Sequence, residues 1–179
     1  MSGLNTKTVL LTGAEASAKT SLSLAFASES AVVVGEYVRE FLDKERRDSV
    51  YSDVDLIAKE QLKRENIARN SGKKLAIFDT NLLSNLLYSK LLFGKAPNWI
   101  EPALIRSNYD HIVLLDPIGI EWKADGQRCL DSLEKRVEFF GAIKQWLETH
   151  KKPYQIVGGS YDDRLRTLQG LLSATLYGT

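Results

Sequence analysis

Eight consecutive residues, Gly13-Ala14-Glu15-Ala16-Ser17-Ala18-Lys19-Thr20, carry the types and spacing that phosphate chemistry needs. The P-loop pattern is G-x-x-x-x-G-K-[ST]. Backbone N–H groups and a helix start surround the phosphates, the lysine reaches the terminal ones, and the hydroxyl serves Mg²⁺. Gly13, Lys19 and Thr20 keep that pattern, Ser21 extends it by one residue, and Ala18 stands at the second glycine position. A methyl group there crowds the loop if the local φ is positive, and costs little if the residue is helical. Lys19 reads either as a solvated lysine at a helix start or as the phosphate-binding cation. A cation at a helix N-terminus is unfavourable without an anion to hold, which points to phosphate.

Other ionisable residues follow other apolar runs. Asp79 closes Leu75 to Phe78 and lies beside the loop if that strand neighbours the first. There it could orient a Mg²⁺-bound water or accept the proton of an acceptor hydroxyl; the alternative is a cap for the helix starting near Asn81. Glu36 and Arg39, in Gly35-Glu36-Tyr37-Val38-Arg39-Glu40, can hold a sugar hydroxyl or a phosphate. Equally, Glu36 can be a helix-start acid and Arg39 a surface partner of Glu40 or Asp43. Asp116-Pro117 explains itself as a turn. The polar, glycine-punctuated stretch Ile118 to Arg128 reads as a lid that excludes water, with Arg128, and Arg136 beyond it, available to neutralise transferring phosphate. Trp122 in that lid either stacks on a flat ring or anchors the loop to the core.

The elements that must position these residues are legible as a pattern. Apolar runs at Thr8 to Leu11, Ala31 to Val34, Leu75 to Phe78, His111 to Leu115 and Tyr154 to Val157 read as buried strands. Helical spacing fills Thr20 to Ser28, Tyr37 to Lys44, Asp53 to Asn70, Asn81 to Phe93 and Leu133 to His150, with Ser52 or Asp53 as a cap and Ser71-Gly72 as a stop. Alternation of this kind predicts parallel strands with helical crossovers, hence a three-layer α/β fold. No internal repeat or Gly/Ser linker interrupts residues 1–179, so one domain is expected.

Composition narrows the function classes. The 24 basic and 23 acidic residues leave a net charge of +1, which argues against a nucleic-acid partner. Cys129 is the sole cysteine and His111 and His150 the sole histidines, too few and too scattered for a disulfide or a zinc site. No apolar run reaches the ~18–20 residues of a membrane span and Met1 to Lys7 lacks a secretory pattern, so a cytoplasmic protein with no membrane partner is expected.

Six segments in order, Gly13 to Thr20, Glu36 to Phe41, Tyr51 to Asp55, Phe78 to Asn81, Trp122 to Arg128 and Tyr161 to Arg164, give the chain a resemblance to the ribosylnicotinamide kinase domain of the bacterial NAD-salvage regulators of NadR type. The resemblance implies a P-loop kinase fold with a five-stranded parallel sheet in the order 2-3-1-4-5. It implies ATP- and Mg²⁺-dependent phosphorylation of nicotinamide riboside to nicotinamide mononucleotide. Carried over, Lys19, Asp79 and Arg128 are catalytic; Gly13, Ala14, Glu15, Ala16, Ser17, Ala18, Lys19, Thr20 and Ser21 bind ATP; and Thr20 and Asp79 serve the metal. Glu36, Tyr37, Arg39, Asn81, Trp122 and Asp125 would contact the nucleoside.

Two departures are visible: the family has glycine at Ala18 and a second acid at Asn81, whose amide adds a donor where the family has only acceptors. The adenylyltransferase and DNA-binding portions of the larger proteins are absent, so the mononucleotide is the expected end product. Another nucleoside or small hydroxyl acceptor, or a nucleotide-binding regulatory ATPase, remain as competing readings. The residues do not fix an oligomeric state.

Overall fold

The computed structural model describes residues 6–177. Its strands are β1 (Lys7–Gly13), β2 (Ala31–Val34), β3 (Leu75–Asp79), β4 (His111–Leu115) and β5 (Gln155–Val157). Its helices are α1 (Lys19–Ala25), α2 (Tyr37–Glu45), α3 (Tyr51–Arg69), α4 (Leu82–Phe93), α5 (Ile100–Arg106), α6 (Leu133–Thr149) and α7 (Tyr161–Tyr177). The strands form one sheet in the order β2-β3-β1-β4-β5, and all its pairings are parallel.

The continuous apolar runs follow from burial on both faces, since successive strand side chains point to opposite sides. In β1, Leu10 joins a core built with α3, α4, α5 and α6, while Val9 and Leu11 join a second core with α1 and α7. Phe78 is fully buried in the first core, and cutting such a ring back to alanine typically costs about 3–5 kcal/mol.

Two helices absent from the expected pattern are present, α5 and α7. The α3 start also differs: the helix begins at Tyr51 with Val50 as the residue before it. Asp53 therefore stands one turn inside, where its Oδ2 accepts the Val50 N–H at 2.9 Å and its carboxylate pairs with Arg47 at 2.7 Å.

Parallel strands bring their C-terminal ends to one edge, where ligands of such sheets bind. The β1–β3 register sets Leu11 opposite Asp79, and Thr80 donates its N–H to the Leu11 carbonyl at 2.9 Å. Asp79 is thereby fixed beside the turn that leaves β1.

Candidate functional site

That turn, Gly13 to Thr20, is a close-fitting loop. Gly13 has φ 151°, and a Cβ there would lie 2.7 Å from the Leu115 carbonyl oxygen, so only glycine fits. Ala16 and Ala18 have φ 53° and 67°, in the left-handed region. Ala18 is thus not helical, and an L-residue in this conformation costs roughly 1–2 kcal/mol. Alternating left-handed residues turn successive N–H groups toward one side, the geometry of an anion nest. The Ala18 carbonyl then accepts the Leu22 N–H at 2.9 Å and begins α1.

Lys19 folds back over the loop, its Nζ 3.0 Å from the Gly13 carbonyl and 2.8 Å from that of Ala14. Burial pulls its pKa down, against the attraction of Asp79 and Glu36. Thr20 donates its hydroxyl to Asp79 Oδ2 at 2.5 Å, while Asp79 Oδ1 is buried without a partner. Asp79 is 1% exposed, and burial holds its pKa above the usual carboxylate range despite Lys19 and the Thr20 hydrogen bond. The cap of α4 is instead Asn81, whose Oδ1 accepts the Leu83 N–H at 3.1 Å. Asp79 is therefore not held by capping.

Glu36 is likewise raised by burial, with Lys19 opposing and Asp79 reinforcing the shift. Arg39 reaches Glu36 at 3.2 Å and Asp125 of the lid at 2.9 Å. Its expected surface partners are engaged elsewhere, Glu40 with Arg64 and Asp43 with Gln127. Lys19 and Arg39 thus meet the carboxyl groups of Asp79, Glu36 and Asp125 at the mouth of the loop.

The lid lies across this mouth and is held at several points. Gln127 donates to Asp43 at 2.6 Å. Within the phosphate loop, Glu15 accepts the N–H groups of Cys129 at 3.1 Å and Leu130 at 2.9 Å. Arg128 pairs with Asp125 at 3.1 Å, donates to the Lys123 carbonyl, and faces the cleft.

The cleft has a volume of about 620 Å³ and is partly open to solvent. One end is the phosphate loop with Glu36 and Arg39. The other is walled by Val54, Ile57, Tyr88, Leu92 and Phe93, with Asn85 presenting a buried, unpartnered Oδ1. This apolar end was not anticipated from the sequence. Its signal was the same-face spacing of Val54 with Ile57 and of Asn85, Tyr88 and Leu92, but that spacing equally describes a core-facing stripe.

Four expected nucleoside contacts, Tyr37, Asn81, Trp122 and Asp125, lie outside the cleft lining. Asn81 is 3% exposed and spends its amide inside the protein, donating to Tyr109 Oη at 3.1 Å as well as capping α4. Tyr37 turns its ring under Arg64, 4.5 Å from the guanidinium. Trp122 is half-buried within the lid, its indole N–H unpartnered, and does not reach the cleft. Asp125 acts on the site through Arg39, and Ala14 through its carbonyl.

A parallel sheet of this order, with a glycine-started loop, a lysine and a hydroxyl-bearing residue after β1, defines a P-loop NTPase with the fold of the P-loop kinases. Residues 8–164 match the AAA domain family, and the chain belongs to it. It is 29% identical over 164 residues to the trifunctional NAD biosynthesis/regulator protein NadR of Escherichia coli (strain K12), an alignment covering 88% of this chain and 40% of that protein. The fold is shared with a crystal structure of NadR protein in complex with NR (TM-score 0.80, 22% identity, 98% of this chain, 52% of that one). It is also shared with thymidylate kinase from Ehrlichia chaffeensis (TM-score 0.63, 15% identity, 93% and 99% covered). The chain spans about half the length of the NadR proteins it matches, or less. No helix among the described residues is long and apolar enough to cross a membrane.

Proposed function

We propose that this chain is an ATP-dependent kinase that phosphorylates a small nucleoside, specifically nicotinamide riboside to nicotinamide mononucleotide. The observation that carries the reading is the pairing of Asp79 with Thr20 at 2.5 Å, at the point where the phosphate loop opens into a cleft polar at one end and apolar at the other. The likeness to NadR, one structure of which holds NR and another NAD with AMP-PNP, supports the choice of acceptor and donor.

In this reading the triphosphate lies on the N–H groups of residues 13–20, and Lys19 gives up the carbonyls of Gly13 and Ala14 to meet it. The nucleoside enters the apolar end with its 5′-hydroxyl toward Asp79. That oxygen attacks the terminal phosphorus, the bond to the bridging oxygen breaks, ADP leaves, and the hydroxyl proton passes to Asp79 Oδ1. Arg128 and Arg39 offset the charge spread over the phosphoryl oxygens.

Thr20 Oγ1 would hold a hard cation directly, and Asp79 Oδ2, 2.5 Å from it, would orient a water of that cation's shell, leaving Oδ1 for the proton. Among the described residues no three metal-ligating side chains converge, so the phosphates and water would complete the shell of Mg²⁺. When bound, Mg²⁺ neutralises phosphate charge and orders the triphosphate.

A panel of nucleosides incubated with ATP and Mg²⁺, read by mass spectrometry, tests the acceptor. Phosphorylated nicotinamide riboside is the expected product. A much higher kcat/KM for another nucleoside would move the assignment within the kinases, and ATP hydrolysis with no phosphorylated acceptor would favour a regulatory ATPase.

A further inference from the structure

Arg164, in the first turn of α7, is 0% exposed. Every hydrogen bond it makes runs to a main-chain carbonyl: Nε to Gly159 at 2.9 Å, Nη1 to Ser17 at 3.2 Å and Asp116 at 2.7 Å, and Nη2 to Ile118 at 2.5 Å. A buried cation is costly unless fully bonded, and this one is satisfied only by joining three separate segments. They are the phosphate loop, the exit of β4 that leads into the lid, and the exit of β5.

We propose that Arg164 is a positioning residue for nucleotide binding, holding the Ser17 carbonyl outward so that the Ala18 N–H points into the phosphate loop. A trans peptide is planar and its C=O and N–H point in opposite directions, so anchoring the first aims the second. The cation also polarises the peptide and makes that N–H a better donor. Ala18, with φ 67°, sits in a conformation that persists only where its surroundings over-determine it, and the clamp on the preceding carbonyl supplies that restraint where a glycine would need none. The reach is specific to a guanidinium. Gly119 and Gly159 pack so closely that a Cβ on Gly119 would meet the Gly159 carbonyl at 2.8 Å, and a planar fork bridges what a lysine's single nitrogen cannot.

This inference rests on the reading of residues 13–20 as a nucleotide site. The test is the equilibrium affinity for AMP-PNP with Mg²⁺ in the wild type, Arg164→Lys, Ala18→Gly and the double variant, with folding checked by circular dichroism and the acceptor KM measured in parallel. Arg164→Lys is expected to weaken AMP-PNP by about tenfold or more while the acceptor KM changes by less than about threefold. Ala18→Gly should recover part of that loss, because glycine adopts the left-handed conformation unaided.

A folded Arg164→Lys protein that binds AMP-PNP as the wild type does overturns the proposal, as does a loss shared equally by nucleotide and acceptor with no recovery from Ala18→Gly. Should Arg164→Lys not fold, the wild type decides: the slowly exchanging Arg164 guanidinium resonances are expected to shift on saturation with AMP-PNP, and no shift overturns the clamp. A wild type that fails to bind AMP-PNP removes the functional reading beneath it, a different outcome from normal binding by both proteins.

Discussion

Replacing Asp79 by Asn keeps the shape of a side chain that is 1% exposed and removes its charge. The Thr20 hydroxyl can still donate to an amide oxygen, but the oxygen that would accept the nucleoside proton becomes an NH₂. A positioned base or metal ligand contributes about 10²–10⁴-fold to such a step. The expected fall in kcat is therefore about 10²-fold or more, equivalent to at least ~2.7 kcal/mol of barrier.

Nucleotide affinity should hold within a few-fold, because the phosphate N–H groups and Lys19 are untouched. The thermal midpoint should move little: burial already disfavours the Asp79 charge, and its loss offsets the weakened attraction for Lys19. The assay is steady-state kinetics beside AMP-PNP binding, and kcat within about threefold of wild type would refute the role. The pH profile adds a check, since burial raises the Asp79 pKa and the acid limb of kcat/KM should fall above the ~4 of a free carboxylate.

Lys19→Ala should lower kcat/KM by about 10²-fold or more through lost stabilisation of phosphate charge, read by the same coupled kinetics. Glu15→Gln weakens two charge-assisted bonds to Cys129 and Leu130, directly after the lid, so hydrogen exchange at residues 126–130 should speed up by about tenfold. Glu65, 2% exposed and accepting from Tyr109 at 2.8 Å, is pushed up to about 7 by burial from 4.5. Because the folded protein holds that proton more tightly than the unfolded chain, the associated stability is present in full below about 4.5 and is lost as pH rises through 7. The loss amounts to roughly 3 kcal/mol. Urea midpoints between pH 5 and 8 should show this slope flattened in Glu65→Gln, and an unchanged slope would contradict it.

The strands were legible because parallel strands covered on both faces must be apolar without interruption, as Leu75 to Phe78 and His111 to Leu115 are. Helix α5 was hidden by its seven residues and Pro102 in its first turn, and α7 by a buried face reduced to Arg164, Leu168 and Leu172. At the site, Gly13, Lys19 and Thr20 announced themselves because phosphate binding is local in sequence.

The direction of a single side chain was not legible. Asn81, Tyr37 and Trp122 stand in segments that border the cleft, yet Asn81 bonds Tyr109, Tyr37 stacks under Arg64, and Trp122 is half-buried in the lid. Val54, Ile57 and Tyr88 line the cleft although their apolar spacing fits a core helix equally well. The left-handed Ala18 was one of two conformations the sequence left open, and the Ser17–Arg164 contact that accompanies it spans 147 positions.

A crystal structure of the protein with AMP-PNP and Mg²⁺ tests the central claim most directly. The expected result has the β- and γ-phosphates within hydrogen-bond distance of the N–H groups of residues 16–20, with Lys19 Nζ moved from the carbonyls of Gly13 and Ala14 onto phosphate oxygen. A nucleotide bound elsewhere, with Lys19 still donating to those two carbonyls, would contradict it.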